Sequence, residues 1–239
     1  MRRGLVVLAF ALAIGVAVSS AVASGSATTV LRGVNHRITN STSSNWSGYA
    51  VTGGRYTSVS ASWTEPAVSC SGTAYSSFWV GLDGDTSSTV EQTGSSADCS
   101  GSTPQYYAWY EMYPKYPVNL SGTVRPGDKL TASVTTDGKG NFTLTISDST
   151  QGWTNTTNAK LHSAALASAE VIAEAPSSRS GVLPLANFGT VSFTNASANG
   201  TPLGNLSGLD PITMSSGGTT KAQPGNISGG SFSVAWKHS

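Results

Sequence analysis

Short runs of alternating apolar and polar residues recur along this chain, and a period of two is the signature of half-buried strands. Over residues 56–63 the alternation puts Thr57, Val59, Ala61 and Trp63 on one face and Tyr56, Ser58, Ser60 and Ser62 on the other. Residues 129–135 and 142–147 alternate in the same way around a glycine-rich turn, which predicts a hairpin. The most aromatic run, 105–113 (QYYAWYEMY), places Tyr107, Trp109, Glu111 and Tyr113 together, with Tyr106, Ala108, Tyr110 and Met112 behind them. Residues 170–175 form a further strand, stopped by Pro176, in which Glu170, Ile172 and Glu174 share a face. A helix would also bring those two glutamates together, at i and i+4, so either geometry aligns them. Strands are also predicted over 45–51, 188–194, 209–214 and 231–236. Residues 94–104 read as a polar loop carrying Asp98 and Cys99, and 151–158 as a polar stretch of Thr and Asn around Trp153.

One stretch carries more than packing. Residues 78–94 (FWVGLDGDTSSTVEQTG) read as a strand, a turn and a second strand. Phe78, Trp79, Val80 and Leu82 are its apolar half, and Asp83, Asp85, Glu91 and Gln92 its polar end. Roughly ten to fourteen short strands and no long helix predict an all-β sandwich or barrel. No internal repeat and no low-complexity linker divides the chain, so one domain is expected over 45–239.

The first 23 residues follow a different rule. Arg2 and Arg3 precede an apolar run over 5–18, and Ala21-Val22-Ala23 offers a small-x-small cleavage pattern. The run is short for a membrane span and no stop-transfer pattern follows, so a secretory signal over 1–23 and an extracellular destination are expected. Residues 24–44 read as an N-terminal arm or a short pro-segment. An exported protein with two cysteines, Cys70 and Cys99, is expected to join them in one disulfide around the focal hairpin. Two cysteines and distant histidines do not make zinc-site spacing.

Formal net charge is +1 and only 10% of the residues are charged. That gives no basic patch for nucleic acid and no acidic block for a disordered tail. The three histidines, His36, His162 and His238, sit in no triad setting. There is no GxSxG elbow, HExxH, P-loop or dinucleotide fingerprint. The nearest thing to an aspartic dyad's Asp-Thr-Gly is Gln92-Thr93-Gly94. What remains is carboxylate chemistry by Asp83, Asp85, Glu91, Glu111, Glu170 or Glu174. A carboxylate pair would suit glycoside hydrolysis. A single carboxylate with an amide donor would suit attack by water on a carbonyl. Composition and spacing leave both open.

The motifs, taken in order, add a resemblance. NWSGYAV, WVGLDGDT, QTG, YAWYEMYP, SAEVIAEAP and FGTVSFTNA, spread over 45–198, resemble the glutamic peptidase family, also called eqolisins. The resemblance implies a sandwich of two antiparallel sheets, of concanavalin-like or jelly-roll type, with a catalytic Gln and Glu on one concave face. Carried over by motif, the Gln is Gln92. The general base is expected at Glu174, the second glutamate of its motif, with Glu170 as the alternative. Trp79, Asp83, Trp109, Glu111 and Glu170 are expected to line or support the site. Family members carry an aromatic residue where this chain has Val171, and one residue more between DGDT and the Gln. Both departures are expected to reshape the cleft. The implied protein is a monomeric secreted acid endopeptidase acting on proteins or peptides. It needs no metal or cofactor, and it binds neither nucleic acid nor, once the signal is removed, membrane. The rival is a secreted carbohydrate-binding or glycosidase sandwich. What faces the catalytic glutamate separates them: an amide for a peptidase, a second carboxylate at about 5–9 Å for a glycosidase.

Overall fold

Two kinds of strand make up residues 41–239, the part of the chain that the computed structural model describes. In one kind buried residues alternate with more exposed ones, as along Ser58–Thr64 and Asn141–Asp148. In the other every residue is buried, as along Trp46–Val51, Ser77–Leu82 and Ala169–Glu174. Alternation means one face on a core and one toward water; continuous burial means both faces are covered. The fully buried strands are neighbours in one sheet. The expected signal over 1–23, and the arm up to residue 40, lie outside the described residues.

In chain order the strands are β1 (Thr42–Ser43), β2 (Trp46–Val51), β3 (Ser58–Thr64), β4 (Ser77–Leu82), β5 (Val90–Ser100) and β6 (Thr103–Tyr113). They continue with β7 (Val118–Asn119), β8 (Lys129–Thr136), β9 (Asn141–Asp148), β10 (Trp153–Lys160), β11 (Ala169–Glu174) and β12 (Ser177–Ser178). The last are β13 (Gly181–Val182), β14 (Thr190–Ala198), β15 (Thr201–Pro202), β16 (Leu209–Ser216), β17 (Thr219–Pro224) and β18 (Phe232–Trp236).

Pairing runs β10-β9-β8-β3-β14-β18-β17-β16-β2-β11-β4-β5-β6-β7. Strand β16 serves two sheets: Leu209 to Ile212 pair with β2, while Met214 pairs with Ala222 of β17 and, after a register shift, Ser215 and Ser216 pair with Thr220 and Thr219. Strands β4 and β5 pack across onto β8 and β9, and β11 onto β3 and β14. The result is the expected all-β sandwich of antiparallel sheets. The main core between the sheets takes Val59, Ala61 and Trp63 from β3, Phe78, Val80 and Leu82 from β4, and Phe142, Leu144 and Ile146 from β9. Each Val, Leu, Ile or Phe side chain among them contributes about 1.5–3 kcal/mol by leaving water.

The structure differs from the sequence reading at several places. Residues 94–104 are no loop: β5 continues to Ser100 and turns at once into β6. Gly94, Ser95 and Ser96 look loop-like in isolation, but β5 is central, and pairing with β4 and β6 overrides propensity. The polar stretch around Trp153 is β10, an edge strand carried by pairing with β9. Strand β17, polar over Thr219-Thr220-Lys221, went unpredicted because it shows no apolar alternation. Strand pairing also begins at Thr42, three residues before the expected domain boundary, where β1 lies parallel to β16. The Cys70–Cys99 disulfide forms as expected, tying the approach to β4 to the end of β5.

Carboxyls are buried at this core as well. Glu65, beyond the end of β3, is buried; it accepts hydrogen bonds from the Ser95 hydroxyl and, at 3.3 Å, from Trp63 Nε1. Burial pushes its pKa from an ordinary 4.5 to about 8; those two hydrogen bonds pull it back and the nearby Asp98 and Asp128 push it further up. Glu91 is likewise raised to about 8, chiefly by burial and then by Asp83.

The sign follows from linkage. Between about pH 4.5 and 8 the unfolded chain has released these protons and the folded chain keeps them. Each group's stabilisation is complete below pH 4.5 and declines by up to ~1.4 kcal/mol per pH unit as pH rises toward 8. Thermal melts should therefore show Tm falling from pH 5 to pH 8, with a shallower fall in Glu65→Gln. An identical pH slope in that variant would show that Glu65 does not hold the proton.

Candidate active site

Register decides which side chains meet on a sheet. Glu170 of β11 lies opposite Gly81 of β4, Gly81 opposite Gln92 of β5, and Gln92 opposite Glu111 of β6. Their chain neighbours Val80, Leu82 and Val171 point into the main core, so this row points to the other face of the sheet. Gly81 has no side chain, so Glu170 and Gln92 face one another across it, two strand spacings or about 10 Å apart at the backbone. Space alone requires glycine there. A Cβ at position 81 would lie 2.9 Å from the Trp79 ring and 3.2 Å from Cβ of Gln92.

The next row along the strands holds Ile172, Trp79, Gly94 and Trp109. Trp79 and Trp109 join Trp46, Ala50, Val90, Ile172 and Ile212 in a second apolar cluster, separate from the main core. The Trp46 and Trp79 rings meet edge to face at 5.0 Å. This cluster is the floor of the site, and it explains why β2, β4 and β11 are buried on both faces.

The third row holds Glu174, Ser77, Ser96 and Tyr107. Trp79 Nε1 donates to Glu174 Oε2 at 2.8 Å, and Asn45 Nδ2 donates to Glu174 Oε1 at 3.3 Å. The Trp79 indole therefore reaches from Gly81 at one end to Glu174 at the other, and stands between the two glutamates.

The two carboxyls sit in different surroundings. Glu170 is fully buried, and neither of its oxygens has a hydrogen-bond partner among the described residues. Burial raises its pKa well above the ordinary value; the Ser168 hydroxyl close by offsets part of this, and Asp85, Asp83 and Glu91 push it higher. Gln92 is held from one side, its Nε2 donating to Glu111 Oε2 at 2.7 Å, while its Oε1 has no partner among the described residues. An amide nitrogen carries two hydrogens, so one remains available to a ligand.

Asp83 is the tie that sets the register. It has a left-handed φ of 67°, and its carboxylate accepts the backbone N–H groups of Leu166 and Ala167, both at 2.8 Å. Its own N–H donates to the Ser168 carbonyl at 3.0 Å. The turn after β4 is thereby fastened to the segment that enters β11, which puts Glu170 level with Gly81.

The sequence-predicted residues thus fall into place unequally. Gln92, Glu170, Glu174, Trp79, Trp109 and Glu111 share one face; Asp83 lies at its rim and acts through the backbone. Gln92 faces Glu170, whereas Glu174 lies in another row behind the Trp79 ring. Val171 points into the main core, so its smaller size reshapes the packing beneath the sheet and not the cleft. Gly81 and Asn45 escaped the sequence reading; the available signal was the small residue alternating with Trp79 and Asp83. Among the described residues no group of three or more His, Cys, Asp or Glu side chains could hold a metal ion.

Residues 44–236 match the Peptidase A4 family. Aspergillopepsin-2 of Aspergillus niger is 32% identical over 181 residues, 65% of this chain and 64% of that protein. Scytalidopepsin B of Scytalidium lignicola is 37% identical over 111 residues, 46% of this chain and 42% of that protein. The chain thus matches less than two thirds of the length of either relative. The crystal structure of scytalido-glutamic peptidase with a peptide-based transition-state analogue is similar with a TM-score of 0.71 at 26% identity, covering 81% of this chain and 98% of that one.

The contact between Trp79 and Glu174 makes a prediction of its own. Trp79→Phe keeps an aromatic ring but removes one donor from a buried carboxylate, a loss of about 1–3 kcal/mol. The Tm of Trp79→Phe should fall by about 2–10 °C. An unchanged Tm would show that the bond does not hold the floor of the site together.

Proposed function

The chain belongs to the Peptidase A4 family, and on that premise we propose that it is a secreted acid endopeptidase whose working pair is Gln92 and Glu170. The observation that carries this reading is the shared row: an amide faces a buried carboxyl across a residue with no side chain. By the criterion drawn from the sequence, an amide opposite the glutamate favours peptide hydrolysis over glycoside hydrolysis. The transition-state analogue bound to scytalido-glutamic peptidase is peptide-based, which supports peptides as the substrate class.

A peptide carbonyl set above Gly81 has Gln92 on one side and Glu170 on the other. Ionised Glu170 takes a proton from a water, and that water attacks the carbonyl carbon. The second N–H of Gln92 donates to the oxyanion as it forms, while Glu111 holds the first and so fixes the amide's orientation. Glu170 then passes its proton to the leaving nitrogen as the C–N bond breaks. The step uses two side chains and one water. Burial keeps Glu170 protonated in the free protein, and water entering with the substrate supplies the solvation that lets it ionise and act as the base.

Glu174 becomes a structural residue in this reading. Its oxygens are engaged by Trp79 and Asn45, and it holds the indole that lies beside Gly81. The buried, proton-holding Glu65 and Glu91 support operation in acid, since their contribution to stability is greatest there. The leader pattern over 1–23 supports secretion.

Denatured casein, assayed from strongly acid to mildly alkaline pH, tests the pair. Gln92→Ala should lose about 10²–10³ in kcat, the usual effect of removing one oxyanion donor. Glu170→Gln should lose nearly all turnover, while Glu174→Gln keeps measurable turnover with a lowered Tm. A dead Glu174→Gln beside an active Glu170→Gln would assign the base to Glu174 instead. No cleavage by the folded, processed protein at any pH would favour a carbohydrate-binding sandwich.

A further inference from the structure

We propose that Ser168 is a positioning residue for the reaction, whose hydroxyl turns to hold the Glu170 carboxyl in each protonation state of the cycle. This rests on the peptidase reading above, in which Glu170 is the base.

Two buried polar groups stand side by side at the root of β11. The Ser168 hydroxyl is buried and has no hydrogen-bond partner among the described residues, and the same is true of both Glu170 carboxyl oxygens. Ala169 between them points into the main core. Ser168 and Glu170 therefore leave the chain on the other face, with their Cβ atoms about 7 Å apart. A glutamate side chain is long enough to fold its carboxyl back toward the hydroxyl. Burial is the larger influence on the Glu170 pKa and raises it, and the Ser168 hydroxyl is close enough to pull it back.

The surroundings offer Glu170 little else. It lies opposite Ala50 of β2 and Gly81 of β4, neither of which has a polar side chain. The next residue of β11 on this face is Ile172, and the Trp79 Nε1–H opposite donates to Glu174. In the proposed reading Gln92 is committed to Glu111 and to the substrate carbonyl. The ionisable groups turned toward Glu170 are all acids. They are Asp83 and Asp85 after β4, Glu91 of β5, Glu111 of β6, Asp210 of β16 in the same row beyond Ala50, and the Tyr56 hydroxyl before β3. None of these offers a positive charge, so ionised Glu170 gains from a neutral donor.

The main chain at Ser168 is fixed while its hydroxyl is free to rotate. The Ser168 carbonyl accepts the Asp83 N–H at 3.0 Å, and the Asp83 carboxylate holds the N–H groups of Leu166 and Ala167 just before it, both at 2.8 Å. A hydroxyl both donates and accepts. It donates to Glu170 while the carboxylate is ionised. Once Glu170 has taken a proton from the attacking water, the hydroxyl turns and accepts from it until that proton passes to the leaving nitrogen. Ser168 keeps its own proton throughout.

The test is the pH profile of kcat on a peptide with one cleavage site, measured for the parent, Ser168→Ala, Ser168→Thr and Glu170→Gln. The acid limb of kcat reports the base in the enzyme–substrate complex. Losing one hydrogen bond to a charged group should move that limb up by about one pH unit in Ser168→Ala. KM should change little. The Tm at pH 5 should not fall, because the hydroxyl holds no other group. Ser168→Thr keeps the hydroxyl and should return the limb; if its added methyl unfolds the buried site, the Ser168→Ala limb alone gives the answer. An unmoved limb in folded Ser168→Ala beside an inactive Glu170→Gln would overturn the role of Ser168 and leave the peptidase reading intact, as would an equal shift in folded Ser168→Thr. Full turnover by Glu170→Gln would overturn both.

Discussion

A one-residue slip of β11 against β4 would turn Glu170 into the core and bring Val171 to the catalytic face. The site depends on that register more than on any single contact. Asp83 enforces it through three backbone hydrogen bonds, and the mixed burial of the sheet enforces it again. Val171, Ala173 and Val80 belong to the main core, whereas Ile172 and Trp79 belong to the second cluster. A slipped strand would exchange apolar for ionisable groups on both sides at once. The glycine at 81 then lets Gln92 and Glu170, the pair proposed to work together, face a common space from two strands apart.

The same burial that enforces the register sets the electrostatics. Glu65 and Glu91 lie in or beside the main core and hold their protons to about pH 8. Glu170 is raised as well, by burial and by the carboxyls around it. A group of acidic side chains this close would repel if all were ionised, and protonation removes the repulsion. A fold that gathers carboxyls in this way is suited to an acidic medium. In the proposed reading, function and stability share one cause: a sheet buried on both faces, with its carboxyls kept from water.

Much of the architecture was legible in the chain itself. Alternation located β3, β6, β8 and β9, and in β3 it separated Val59, Ala61 and Trp63, which the core takes, from the serines on the other face. It could not identify the second half of β5 or β10, where small and polar residues are held by neighbouring strands and not by their own apolar pattern. The motif resemblance brought Gln92 and both glutamates into consideration. It placed the base at Glu174 with Glu170 as the alternative, and the pattern along the chain offered no check on that choice, since residues four apart share a face in a strand and in a helix alike. Only pairing with β4 shows that Gly81 stands beside Glu170 while Ser77 stands beside Glu174.

The central claim is that chemistry occurs above Gly81, between Gln92 and Glu170. A crystal structure of the protein with a peptide-like inhibitor bearing a tetrahedral centre tests this most directly. The account predicts the inhibitor's hydroxyl oxygens at hydrogen-bond distance, about 2.6–3.2 Å, from Gln92 Nε2 and a Glu170 carboxyl oxygen, with the Trp79 bond to Glu174 intact. A tetrahedral centre seated on Glu174, with that bond broken and Glu170 out of reach, would contradict it.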